Sequence, residues 1–310
     1  LSIEDCMMNE ELKKQLRNRG ICVIIPTYNN DTTIKTVVEK SLLYCDDVIV
    51  VTDGCTDRTT NILDAIDGIT IVSYPQNRGK GYALKMGLRK ALEMGFSYAI
   101  TLDGDGQHYP EDIPLFLKAN QEYPQSLIIG SRQLEGVDRS KGSSFANKFS
   151  NFWFYVQTGR ALPDTQTGYR LYPLHRLCGL SLLTSRYEAE LELLVFASWH
   201  GVKLIPIPVQ VYYPPRNERV SHFRPGKDFA RISVLNTVLC FLAVVYGLPL
   251  RLWRTLMTFL RTAYSLLFFL FFTLVVFTPF VWIYTKIGKM TERRRYRLHQ
   301  LIYHASRFVM

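Results

Sequence analysis

The chain has 310 residues, 47% of them hydrophobic and 21% charged, which excludes a disordered chain, a collagen and a bundle wholly embedded in membrane. Lys and Arg number 37 against 27 Asp and Glu, and the resulting charge of +10 fits nucleic acid, an anionic membrane surface or phosphate-bearing substrates. The six cysteines (Cys6, Cys22, Cys45, Cys55, Cys178, Cys240) are scattered without a CxxC pair, so a reduced compartment fits them better than a disulfide framework or a zinc site.

Taken in chain order, short apolar runs alternate with helical periods. ICVIIP (21–26) reads as a buried strand stopped by Pro26, and 31–44 as a helix with Ile34, Val37, Val38 and Leu42 inward. A second strand (47–53) and helix (57–66), a third strand (69–74), and a strongly amphipathic helix (81–95) closed by Gly95 follow. YAITLDGDG (98–106) reads as a fourth strand entering a carboxylate-bearing loop, 110–120 as a helix and SLIIGSR (126–132) as a fifth strand. Such alternation predicts an α/β fold with a parallel sheet, right-handed crossovers and ligands beyond the carboxyl ends of the strands. Tyr28, Asp53, Asn77, Asp103, Asp105 and Arg132 all fall at those ends.

The composition changes near residue 232. Ile232 to Leu250 and Tyr264 to Thr285 carry no charge, and the second run spans roughly 33 Å as a helix, enough to cross the hydrocarbon of a bilayer. The first is diluted by Ser233, Asn236, Thr237 and Pro249, so it either spans or lies in the interface. Basic residues cluster before the first run (Arg216, Arg219, Arg224, Lys227, Arg231) and after the second (Lys286, Lys289, Arg293, Arg294, Arg295, Arg297). The positive-inside bias therefore predicts two domains: 1–231 cytoplasmic, and 232–310 a membrane hairpin (spans 232–250 and 264–285) with a basic cytoplasmic tail. Residues 1–20 are polar and mixed in charge, so no cleavable leader is expected, and a chain running from Leu1 into a basic tail reads as a piece of a longer one.

Asp103-Gly104-Asp105 is the sharpest motif. Carboxylates at i and i+2 on extended chain project to one side, where a hard divalent cation, Mg2+ or Mn2+, removes their mutual repulsion. Gln107 is placed to complete that shell, and the alternative is a solvated acidic loop. Asp53 can accept a hydrogen bond from a base or ribose, or cap the next helix, for which Asp57 is better placed. Asn77-Arg78-Gly79-Lys80-Gly81 opens a helix whose N-terminus favours an anion, although it is not a nucleoside-triphosphatase P-loop. Arg132, Arg139, Lys141, Arg170, Arg216, Arg219, His222 and Arg224 form a second basic group, which is a solvated face or a phosphate site near the membrane entry.

In order, VIIPTYNN (23–30), VVTDGCTD (50–57), NRGKG (77–81), LDGDGQH (102–108), GSR (130–132), DTQTGYRLY (164–172), YEAELELL (187–194) and RVSHFRP (219–225) resemble the family-two glycosyltransferases of the GT-A fold. The match is nearest to the dolichol-phosphate mannose and polyprenyl-phosphate sugar synthases. The resemblance implies a Rossmann-like, mostly parallel sheet with helices on both faces. Pro26, Tyr28, Asp53, Asn77, Lys80 and Asp103 would then hold the nucleotide-sugar, with Asp103, Asp105 and Gln107 on the metal. Arg132, Arg139, Ser143, Arg170 and Arg219 would face the acceptor or its phosphate. Two departures, Asn30 where Glu is common and Thr52 where a paired Asp is common, thin the nucleotide contact and leave the base open.

The chemistry implied is a single inverting displacement, with the metal on Asp105 and basic groups, Arg132 among them, stabilising the departing nucleoside diphosphate. A polyprenyl (dolichyl or undecaprenyl) phosphate acceptor needs no strong base; a lipid hydroxyl needs a carboxylate, Asp164 or Glu190. The expected partners are a nucleotide-sugar donor, a lipid acceptor and the bilayer, with the enzyme multi-pass in the cytoplasmic membrane, and self-association is left open. A non-catalytic nucleotide-binding membrane scaffold is the alternative class. Nucleic-acid binding is not expected, since the charge gathers near the membrane and no recognised motif is present.

Overall fold

The computed structural model describes residues 3–132, 141–180, 182–212 and 225–286, with isolated tail positions at 293, 296, 297, 299–301, 303 and 304. The chain divides into two compact units, Leu1–Leu248 and Pro249–Met310.

The β-branched run that follows a first helix, α1 (Ile3–Asn18), becomes the middle of a seven-stranded sheet. Strand β1 (Ile21–Thr27) is buried on both faces and lies between β2 (Val48–Asp53) and β4 (Tyr98–Thr101), parallel to both. Strand β3 (Ile69–Tyr74) extends the sheet beyond β2. Helix α2 (Ile34–Tyr44) links β1 to β2, the short α3 (Thr59–Leu63) links β2 to β3, and α4 (Lys80–Glu93) links β3 to β4. A 3-10 turn (Pro110–Asp112) and α5 (Ile113–Glu122) lead into β5 (Leu127–Arg132).

One strand departs from the parallel expectation. Strand β6 (Arg170–Pro173) inserts antiparallel between β4 and β5, giving the order β3-β2-β1-β4-β6-β5-β7. The chain reaches it through α6 (Lys141–Thr158), and β6 pairs antiparallel with both neighbours, an arrangement that needs no crossover between adjacent strands. Helices α7 (Leu174–Leu177) and α8 (Glu188–Trp199) follow, and β7 (Leu204–Val209) closes the far edge parallel to β5.

Side-chain alternation splits the core. Ile21, Val23 and Ile25 join Leu16 of α1, Ile34, Val37 and Val38 of α2 and Phe116 of α5 in one cluster. The other face receives α4 and, beyond it, α8 and α6. β1 and β4 lie side by side but continue to opposite flanks, so a crevice opens between their carboxyl ends. Asp103 lies just past the end of β4, at that crevice.

After β7 the chain enters α9 (Pro225–Leu242), a π-helical turn (Ala243–Gly247), α10 (Leu248–Phe271), a second π-helical turn (Phe272–Phe277) and α11 (Thr278–Lys286). Among the described residues one helix, Ala230–Trp282, is long and apolar enough to cross a membrane. The hairpin expected from sequence is not confirmed. Residues 251–263, assigned to its turn, are the middle of α10. LWRTLMTFLRTAY contains neither Gly nor Pro, and Pro249 directly follows the π-helical turn Ala243–Gly247, where the regular hydrogen-bond ladder is already interrupted.

Candidate active site at the carboxyl ends of β1 and β4

Asp103 is the hub of the crevice. The Lys80 ammonium, on the first residue of α4, lies 2.9 Å from each of its carboxylate oxygens. Lys80 also reaches Glu190 Oε1 on α8 at 3.1 Å, so one ammonium links two carboxylates brought from distant parts of the chain. This packing requires Gly168, because a Cβ there would stand 2.7 Å from Asp103 Oδ2 and 2.8 Å from Lys80 Nζ. Thr101 Oγ1 donates to the Gly168 carbonyl at 2.7 Å, which fixes that approach.

The charges respond to this arrangement. Burial opposes ionisation of Lys80, but Asp103 and Glu190 outweigh it and hold the ammonium above its ordinary range. Burial likewise pushes Asp103 up, yet the Lys80 charge overrules it and the carboxyl is held below the usual range. Asp105 is pushed up to about 6, first by burial and then by the charge on Asp103. Its Oδ1 accepts the Gln107 backbone N–H at 3.0 Å, which tightens the loop. His108, buried nearby and with no hydrogen-bond partner at Nδ1 among the described residues, is lowered to about 4 by burial, so it is neutral at pH 7.

Asp103, Asp105 and Glu190 thus bring three carboxylates together: the Lys80 ammonium meets Asp103 and Glu190 at hydrogen-bond distance and acts on Asp105 from further off, as Arg170 does on Asp103. The described residues contain no cluster of three or more His, Cys, Asp or Glu gathered as a metal cage. A pair of hard carboxylates with excess negative charge nonetheless fits Mg2+ or Mn2+, which take one or two carboxylates and complete their shell with water and substrate phosphates.

Several expected contacts are redirected. Both oxygens of Asp53 accept backbone N–H groups, from Arg78 at 2.7 Å and Gly79 at 2.8 Å, so this carboxylate clasps the loop after β3 in place of a base or ribose. At the helix N-terminus that opens with Lys80, the Tyr82 N–H is taken up inside the fold, donated to the Ser185 carbonyl at 2.8 Å. A Cβ on Gly81 would meet Ala189 Cβ at 2.4 Å, so the glycine serves helix packing. Pro26 is buried within β1, Tyr28 is half-buried just beyond it, and Asn77 is exposed. Asp57, by contrast, accepts the Thr59 N–H at 3.0 Å from one position ahead of the N-cap of α3, which is Arg58.

Arg170, expected to face the acceptor, is fully buried. Its guanidinium donates to the carbonyls of Glu190 and Thr165, both at 2.9 Å, and ties α8 to the loop before β6. Asp164, a candidate base, is also fully buried and takes Arg132 in a bidentate pair at 2.6 and 3.0 Å. Glu190, the other candidate base, is held by Lys80. Arg139 and Arg219 lie outside the described residues, as does the side chain of Ser143. Sequence reasoning singled out neither Gly168 nor His108; TGYR and DGDGQH contain them, but only the tertiary approach of β6 to β4 reveals why they matter.

Residues 22–172 match the family model described as Glycosyl transferase family 2. The chain is 29% identical over 221 residues (64% of it, 88% of the relative) to a UDP-N-acetylglucosamine–dolichyl-phosphate N-acetylglucosaminyltransferase of Methanococcus voltae. It is 29% identical over 204 residues (60% and 75%) to a polyprenol monophosphomannose synthase of Mycolicibacterium smegmatis. An undecaprenyl-phosphate mannosyltransferase of Micrococcus luteus is 26% identical over 201 residues (61% and 82%). In fold, the chain is similar to glucosyl-3-phosphoglycerate synthase from Mycobacterium tuberculosis, solved in complex with Mn2+, UDP and glucosyl-3-phosphoglycerate. The TM-score is 0.57 at 19% identity, covering 76% of this chain and 83% of that one.

Proposed function

We propose, from the match of residues 22–172 to the model described as Glycosyl transferase family 2, that the chain transfers a sugar from a nucleotide-sugar donor to a polyprenyl phosphate at the cytoplasmic face of a membrane, using Mg2+ or Mn2+. The relatives named for dolichyl-, polyprenol- and undecaprenyl-phosphate transfer support the acceptor class. The observation that carries it is the state of the two candidate bases. Asp164 is occupied by Arg132, and Glu190 by Lys80, so neither carboxylate is placed to deprotonate a hydroxyl. A phosphate monoester needs no such base, since its oxygen is already anionic at pH 7.

In the proposed reaction Asp103 and Asp105, with Gln107 beside them, hold the cation, which when bound neutralises charge on the donor diphosphate. The acceptor phosphate oxygen forms the new bond to the anomeric carbon as the bond to the diphosphate breaks. The electron pair leaves with the nucleoside diphosphate, and inversion follows from the single displacement. Asp53 keeps the 77–81 loop against the crevice, and Tyr28 and Asn77 border the donor side. Arg132, anchored by Asp164, stands on the acceptor side, to which Arg139, Ser143 and Arg219 are also assigned. The apolar helix Ala230–Trp282 carries the chain to the bilayer, where the acceptor resides.

Membranes bearing the full chain, given radiolabelled nucleotide-sugars, test this. The expected product is a metal-dependent glycolipid that mild acid cleaves, as it does a sugar joined to a lipid phosphate. A product stable to mild acid would remove the phosphate acceptor from the account.

A further inference from the structure

We propose that Glu190 is a positioning residue that acts through Lys80 to set the Asp103 carboxylate for metal, and is not a catalytic base. This rests on the reading of Asp103 and Asp105 as metal ligands and extends it to residues that touch neither metal nor substrate.

The geometry runs through one ammonium. Asp103 stands on a loop past the end of β4, and nothing in the strand itself fixes the plane of its carboxylate. Lys80 Nζ, 2.9 Å from both oxygens, supplies that constraint. A lysine stem is flexible and cannot hold a plane alone. Its base is fixed as the first residue of α4, after Gly79 at φ 97°, with Asp53 gripping the Gly79 N–H. Its tip is fixed by Glu190 at 3.1 Å. Glu190 is in turn rigid: it stands on α8, its side chain is 9% exposed, and its own carbonyl accepts Arg170. The ammonium is shared between two carboxylates, so Glu190 also draws positive charge away from Asp103. Without Glu190, Lys80 would settle wholly on Asp103 and oppose a cation there. Partners one step removed from a metal ligand typically change metal affinity by about 10–100-fold when lost.

The test is Mn2+ binding by the donor-free full chain, followed by electron paramagnetic resonance. Glu190→Gln should weaken Mn2+ binding about 10-fold. In a Lys80→Met background the same change should cost under about 3-fold, the remainder being the direct field of Glu190. An equal loss in both backgrounds, or none in the wild-type background, would overturn the proposal. Lys80→Met/Glu190→Gln removes a balanced pair, which keeps the cycle readable if the single Glu190 variant folds poorly. A base role predicts the opposite pattern: intact Mn2+ binding with lost turnover. Failure of the underlying metal reading is seen separately, as Mn2+ binding that survives Asp105→Asn or is absent from the wild type.

Discussion

Helices α8 and α10 make opposite use of their apolar residues. In α8, EAELELLVFASW, nearly every side chain is buried, including Glu188, Glu190 and Glu192, and the last two have assigned tasks. Glu190 holds Lys80, and Glu192 accepts the backbone N–H groups of Leu183 and Thr184. In α10, richer in large apolar residues, no residue is buried, and Leu266, Leu267, Phe268 and Phe271 are each more than half exposed. A buried charge is tolerated where the fold provides its partner, and an exposed apolar surface where the partner is outside the chain. α10 lies within Ala230–Trp282, the one helix among the described residues that is long and apolar enough to cross a membrane.

The comparison can be broken most decisively at the rim. Asp105→Asn should lower transfer by about 1,000-fold or more, the scale of losing a principal electrostatic stabiliser of the departing group, while the thermal midpoint of the apo protein stays or rises. A variant that keeps its turnover in a Mn2+-supplemented assay would remove the carboxylate pair from the mechanism.

Next in size is the Arg132–Asp164 pair. Arg132→Ala leaves a fully buried carboxylate without its partner, a loss of about 3–5 kcal/mol of stability. Chemical denaturation checks it, and a shift under 1 kcal/mol would mean that Asp164 finds water when Arg132 is gone. On the apolar helix, Leu267→Arg should weaken insertion by about 2.5–3.5 kcal/mol and move chain from the membrane to the soluble fraction in carbonate extraction. It should leave Mn2+ binding unchanged, because Leu267 belongs to the other compact unit. The smallest expected effect is at Gly168. Alanine there crowds Asp103 and Lys80 and should weaken Mn2+ binding about 10–100-fold, the range for disturbed support of a metal ligand, with little change in secondary structure by circular dichroism.

How much of this was legible beforehand depended on the range of the interactions. Strands β1, β2, β3 and β5 are visible as apolar β-branched runs, and their observed limits lie within a residue or so of the pattern. Asp103 and Asp105 are legible because glycine spacing on a strand end is a local signal. Strand β6 is four residues long and antiparallel through pairing with β4 and β5, which no local period announces. Lys80 looked like an anion ligand because Gly-Lys-Gly at a helix start usually faces outward. Its inward turn is decided by Glu190, 110 positions later in the chain. Arg170 misled for the same reason, since guanidiniums are seldom fully buried unless, as here, carbonyls receive them. The hairpin came from counting uncharged runs; α10 continues through Arg251, Arg254 and Arg261 because nothing in that stretch breaks a helix.

Calorimetric titration of the full chain with UDP and with GDP, each in Mn2+ and again in EDTA, tests the carboxylate pair most directly. At least one of the two nucleotides should bind in Mn2+, and that binding should vanish in EDTA and in Asp105→Asn. Equal binding with and without the metal, or binding untouched by the substitution, would contradict a cation held at Asp103 and Asp105.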